Sequence, residues 1–128
     1  MNISQAAKQT GLSAKQIRDY EKAGLLPEAH RSEAGYRIYS ERDLAQLRFI
    51  YNARKVGFSL AQIMVLLALN DNPSRTSREV KQITEQHIVE LEQKIQDLQN
   101  MLSLLKSWSK SCCGNDSPDC SILKGLTK

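Results

Sequence analysis

From Ser77 to Lys110 the chain runs without a glycine or proline, and within that run Ile88, Leu91, Ile95, Leu98, Leu102 and Leu105 stand 3, 4, 3, 4 and 3 residues apart. This spacing keeps the apolar side chains on one narrow stripe of an α-helix, the a and d positions of a heptad. About 30 helical residues reach roughly 45 Å, far more than a small globular core needs. Such a helix either folds back on its own domain or meets a partner helix. The seam is narrow and flanked by Glu90, Glu92, Lys94 and Asp97, which favours the partner, and a homodimer is expected. Isoleucine at a with leucine at d is the pattern of a parallel pair, over a seam too short to fix direction.

The rest of the chain differs in kind. Of 128 residues with net charge +4, residues 1–70 hold 10 basic and 6 acidic groups, and residues 71–128 hold 8 of each. All the Tyr and Phe lie between Tyr20 and Phe58, and the three cysteines are Cys112, Cys113 and Cys120. A basic, aromatic head is therefore joined to a neutral helix and a thiol-rich end. The opening MNISQAAKQTGL has no apolar signal core, and no 18-residue apolar run occurs. These features predict a cytoplasmic protein with no membrane contact. GxSxG, HExxH and P-loop patterns are missing, and His30 and His87 are far apart, so no enzyme and no organic cofactor are expected.

The head is punctuated into short helices. Asn2 or Ser4 can cap a first helix through Gln9, broken at Gly11. Ser13 and Gln16 form an S-x-x-Q capping box for a second helix running to about Lys22, with Gly24 at its C′ position. With Ala6, Ala7 and Ile17 as a small shared core, the pair is a helix-turn-helix candidate. In RSEAGYRIYS, Tyr36, Ile38 and Ser40 alternate with Arg37 and Tyr39 around a Glu33-Ala34-Gly35 turn, which reads as a hairpin wing. Ser40 with Asp43 caps a third helix carrying Leu44, Leu47, Ile50 and Tyr51, closed by Gly57. Ser59 and Gln62 box a fourth, with Leu60, Ile63, Leu66 and Leu67 on one face. The predicted fold is mainly α: a winged helix-turn-helix over residues 1–69, a linker over 70–76, a long dimerisation helix over 77–110 and a cysteine loop with a short C-terminal helix over 111–128.

Gly114 to Pro118 are turn formers, so the chain can loop back and bring Cys112 and Cys120 together, with Ile122, Leu123 and Leu126 closing over the loop. Thiols that a reducing compartment keeps free suit metal binding or redox chemistry. Soft thiolates favour Cu(I) and its heavier relatives, or zinc in a four-ligand site. The loop offers three sulfurs and no histidine, and Cys113 can serve as a third ligand. A thiol redox sensor uses the same residues. A metallochaperone would account for the cysteines but not for the wing or the charge asymmetry.

IRDYEKAGLLP at 17 to 27, RSEAGYRIY at 31 to 39 and ARKVGFSLAQI at 53 to 63 closely resemble the MerR family of winged-helix transcription regulators, and the resemblance covers essentially the whole chain. It implies that the second helix enters the major groove of operator DNA while the wing and third helix grip phosphates. On the matching positions the resemblance implies Arg18, Tyr20, Arg31, Tyr36, Arg37, Tyr39 and Arg54 as DNA-binding residues, and Lys15, at the exposed start of the second helix, is expected to join them. Guanidinium groups and phenols suit phosphate oxygens. Asp19 departs from the family, which usually has an aromatic residue there; it can read cytosine N4 or hold Arg18. The resemblance also implies an antiparallel dimer, overruling the parallel pattern, and RNA polymerase as a partner at a promoter with an overlong spacer.

The thiol end is most similar to the copper-efflux branch, which senses monovalent coinage metals. Cys112-x7-Cys120 matches its two-thiolate loop, and Ser77 matches the position where divalent-metal sensors carry a cysteine. The resemblance thus implies Cu(I), with Ag(I) and Au(I) as alternatives, bound by Cys112 and Cys120 with Ser77 setting selectivity. Zinc, cadmium or mercury sensing through Cys113 is the divalent alternative.

Overall fold

Four short helices open the chain, and each is started by a reciprocal capping box. In the computed structural model, which describes residues 1–27 and 30–128, α1 is Ile3–Thr10, α2 Ala14–Lys22, α3 Glu41–Lys55 and α4 Leu60–Asn70. Asn2 pairs with Gln5, Ser13 with Gln16, Ser40 with Asp43 and Ser59 with Gln62, each exchanging two side-chain-to-backbone hydrogen bonds of 2.8–3.2 Å. Each cap contributes about 1 kcal/mol by satisfying amides that the helix itself cannot. Of the two candidate caps for α1, Asn2 is the one used.

The first of two compact units covers Met1–Val80. There α1 packs on α2 and α3, and α3 on α4. Ala6, Ile17, Leu44, Leu47, Ile50 and Ile63 have no exposed surface. Leu60 and Tyr51, expected on the inner faces of α4 and α3, are exposed instead; Ile63, Leu66 and Leu67 carry the burial in α4. The ring of Tyr51 covers Gly11, which sits at φ +79° and leaves an added Cβ 3.5 Å from that ring.

The wing is a minimal antiparallel pair, β1 His30–Arg31 and β2 Arg37–Ile38, in register His30 with Ile38 and Arg31 with Arg37. Gly35 at φ +84° makes its turn, and the Ser32 N–H donates to the Tyr36 carbonyl at 2.7 Å. The predicted alternation holds: Tyr36 and Ile38 face out, Arg37 is half-buried and Tyr39 is buried. Beyond the strand, the Tyr39 N–H donates to the Met1 carbonyl at 2.7 Å and the Met1 amino group donates back to the Tyr39 carbonyl at 3.0 Å.

α5 spans Ser77–Ser111. Its start is fixed by a further box, in which Thr76 Oγ1 accepts from the Glu79 N–H and the Glu79 carboxylate accepts from the Thr76 N–H, both at 3.3 Å. The second unit, Lys81–Lys128, holds most of α5, the cysteine loop and α6, Ser121–Thr127. Along α5 the side chains of Ile88, Ile95, Leu98, Leu102 and Leu105 are exposed and Leu91 is half-buried. No described helix is long and apolar enough to cross a membrane.

Candidate nucleic-acid interface and thiol site

The recognition-helix candidate, α2, lies between two basic depressions. One is lined by Ile3, Arg18, Arg31, Tyr36 and Arg37, and brings α1, α2 and the wing together. The other takes Gln16 and Tyr20 from α2 with Tyr51, Arg54 and Lys55 from α3. Lys15 and Arg18 are exposed on α2, and Tyr36 at the wing tip is 75% exposed. The Arg31 guanidinium donates to the Gly35 carbonyl at 2.9 Å and that of Arg54 to the Phe58 carbonyl at 3.2 Å. Each uses one N–H to fix the side chain, and a guanidinium has five to offer.

Two of the expected contact residues are placed differently. Tyr20 is 8% exposed and Tyr39 3%, so both rings pack into the core, while Tyr20 still borders the second depression. The Tyr39 hydroxyl donates to Glu21, and burial raises its pKa above 10.0, against the lowering influence of Arg37, Arg18 and Arg31. The Glu21 carboxylate also pairs with Arg37. Glu21, at the end of α2, therefore ties the wing to the recognition helix through both Tyr39 and Arg37. Nothing in the sequence singles it out, because a lone glutamate on a helix is ordinarily a solvated charge. Asp19 is exposed and, among the described residues, forms no ion pair with Arg18.

In the second unit, Cys112 follows the last residue of α5 and Cys120 is the N-cap of α6. The loop between them turns at Gly114, φ +63°, and is held by Asn115 Oδ1 accepting from the Ser117 N–H at 2.9 Å and Ser117 Oγ from the Asp119 N–H at 3.3 Å. The two sulfurs come within 3.6 Å, both half-buried, while Cys113 is exposed. The Leu123 N–H, then the Cys112 thiol, lower the Cys120 pKa from 9.0, which favours the thiolate that ligates soft metals. Two facing sulfurs fit one soft cation. Among the described residues no group of three or more His, Cys, Asp or Glu gathers to hold a metal, so the structure does not bring Cys113 in as a third ligand. The expected closure by α6 is partial: Ile122 is half-buried, but Leu123 and Leu126 are 61% and 65% exposed. The face of α6 that meets α5 carries Ser121 and Gly125 instead.

A helix-turn-helix with a hairpin wing, basic depressions on both sides of its second helix and a separate thiol pair define a winged-helix regulator that binds DNA. The family description that fits is MerR HTH family regulatory protein, matched over residues 1–70, with the MerR DNA-binding region matched over 44–108. The chain belongs to the MerR family, whose members are transcription regulators and not enzymes. It is 60% identical over 126 residues, 98% of each chain, to a probable heavy metal-dependent transcriptional regulator of Haemophilus influenzae. It is 43% identical to the HTH-type transcriptional regulator CueR of Escherichia coli O6:H1, over 99% of this chain and 94% of that one. Among solved structures, the transcription regulator PbrR691 of Ralstonia metallidurans CH34 in complex with lead(II) superposes with a TM-score of 0.85 at 34% identity, covering 98% of both chains.

Proposed function

We propose that this MerR regulator is metal-responsive and senses Cu(I), with Ag(I) and Au(I) as alternative effectors, through Cys112 and Cys120. The observation that carries the reading is the pair of sulfurs 3.6 Å apart with no third His, Cys, Asp or Glu gathered beside them among the described residues. A monovalent ion on two thiolates leaves one net negative charge, whereas divalent zinc takes four ligands in a closed site. Ser77, at the start of α5, supplies no soft anionic donor and so withholds what a divalent ion would need. The heavy-metal relative at 60% identity and CueR at 43% support a metal effector.

Regulators of this family bind promoter DNA as dimers and contact RNA polymerase. In this chain the seam Ile88, Leu91, Ile95, Leu98, Leu102 and Leu105 would join two copies, antiparallel by family likeness. α2 would enter the major groove with Lys15 and Arg18, while Arg31, Tyr36, Arg37 and Arg54 take phosphates and Tyr20 and Tyr39 support them from behind. Residues 1–69 form the reading head, 70–76 a linker, 77–110 the dimer helix and 111–128 the sensor, in a cytoplasmic protein. Cys112 and Cys120 would hold the ion, which would supply a positive charge between two thiolates and so hold the loop closed. That protein state would then favour an untwisted operator, a linkage between two sites. The lead(II) complex of a 34% identical relative and the exposed Cys113 favour a second reading, divalent sensing.

Cu(I) affinity, measured by competition with a chromophoric chelator, separates the two. Cys112→Ser and Cys120→Ser should each lose more than about a hundredfold, beyond the loss of a supporting group, and Cys113→Ser should stay within about threefold. Equal losses in all three variants, or tighter Zn(II) than Cu(I), would sink the monovalent assignment. Ser77→Cys should gain divalent response.

A further inference from the structure

The chain's single tryptophan stands on the last turn of α5, and α6 lies against it at a glycine. A Cβ built on Gly125 would lie 2.4 Å from Trp108 Cε2, 2.5 Å from Nε1 and 2.8 Å from Cδ2. Real Cβ atoms do not approach that closely, and the obstacle is the rigid body of the indole. Four residues earlier on the same face of α6, Ser121 Oγ donates to the Trp108 carbonyl at 2.7 Å. Two contacts one turn apart fix both the position and the rotation of α6 against the end of α5.

The thiols sit at the ends of these two helices: Cys112 directly after α5 and Cys120 directly before α6. Whatever sets α6 on α5 therefore sets the gap between the sulfurs. We propose that Trp108 and Gly125 form a steric latch that positions Cys120 against Cys112, so that the pair is pre-organised before any ligand arrives; this rests on the thiol pair being the effector site. Preorganisation matters because an unlatched loop must lose its freedom at the moment of binding. Neither residue touches the ligand; both are positioning residues.

Helix propensity gives the test its sign. In an ordinary helix Gly→Ala is stabilising, so a merely helical Gly125 would let Gly125→Ala hold or tighten the site. A latch requires the reverse. Two quantities are measured on the full-length protein with Cys113→Ser as background. The first is the metal-free equilibrium with glutathione disulfide, which oxidises Cys112 and Cys120 to a disulfide and is itself reduced to two glutathione thiols. The second is Cu(I) affinity against a chromophoric chelator. Gly125→Ala should lower both by about tenfold, the scale of an overpacked contact, and shift the Trp108 emission to longer wavelength as the ring is displaced. In a Trp108→Leu background the same Gly125→Ala change should cost less than about twofold, because the obstacle is gone. The latch is overturned if Gly125→Ala leaves the glutathione equilibrium unchanged or more oxidised, or if it costs the same in both backgrounds. If the glutathione equilibrium moves as expected but no protein binds Cu(I), the latch stands and the effector assignment falls. If Cu(I) binds tightly to the wild type and neither quantity responds to Gly125→Ala, the assignment stands and the latch falls.

Discussion

In Met1–Val80 the large apolar side chains are inside: Ile17, Leu44, Leu47, Ile50 and Ile63 have no exposed surface. In Lys81–Lys128 the comparable residues Ile95, Leu98, Leu102 and Leu105 are each more than half exposed. The first unit has four short helices, each stopped and capped so that the next can fold back on it. The second has one long helix with nothing to stop it, and α6 covers only its last turn. The head buries its large apolar side chains within itself, whereas the seam of α5 leaves its own exposed, as the proposed pairing with a second copy would need. Exposed apolar stripes of this length mark interaction surfaces in soluble proteins.

The largest effect is expected at the seam. Ile95→Asp combined with Leu98→Asp would place carboxylates in a dimer core, and the dissociation constant should rise more than about a thousandfold. Analytical ultracentrifugation would show this, and a variant that stays dimeric at micromolar concentration would remove the partner-helix reading. In the head, Leu47→Ala leaves a cavity where no surface is exposed, and urea unfolding should report a loss of about 2–4 kcal/mol. Ser59→Ala removes one half of a capping box and should cost about 1 kcal/mol by the same measurement; a loss near zero would mean that packing alone holds α4 in place. The smallest effect is a pH profile. Folding lowers the Cys120 pKa, so the alkylation rate of metal-free Cys120 should reach half-maximum at lower pH than that of unfolded protein. The sign for stability follows: a depressed thiol pKa stabilises the fold above the unfolded thiol value, and this contribution is lost as pH falls through the folded value. Coincident profiles would show that the α6 amides do not act on the sulfur.

Much of the fold was legible because capping and turn chemistry is local. Ser13-x-x-Gln16, Ser40-x-x-Asp43 and Ser59-x-x-Gln62 place three helix starts by themselves, and Gly35 and Gly57 take the positive φ values their turns need. The Cys112–Cys120 approach was legible for the same reason, since a run of turn formers joins them. What was not legible depends on groups distant in sequence. Tyr20 and Tyr39 look like surface phenols, yet the tertiary fold buries both, and Glu21 gains its role only when Tyr39 and Arg37 arrive from the wing. Leu60, Leu123 and Leu126 follow the helical period yet stay exposed, because periodicity marks a face without saying what covers it. The Trp108–Gly125 contact joins residues from two helices across a turn, and no spacing rule connects them.

Under the proposed function, the thiol pair of one unit governs transcription through the DNA-binding head of the other. This is tested most directly by in-vitro transcription from the cognate promoter, titrated with Cu(I) and Zn(II) at buffered free concentrations. The expected result is activation by Cu(I), no activation by Zn(II), and loss of the Cu(I) response in Cys112→Ser while promoter binding is retained. Activation by Zn(II) alone, or a Cys112→Ser protein that still responds to Cu(I), would contradict it.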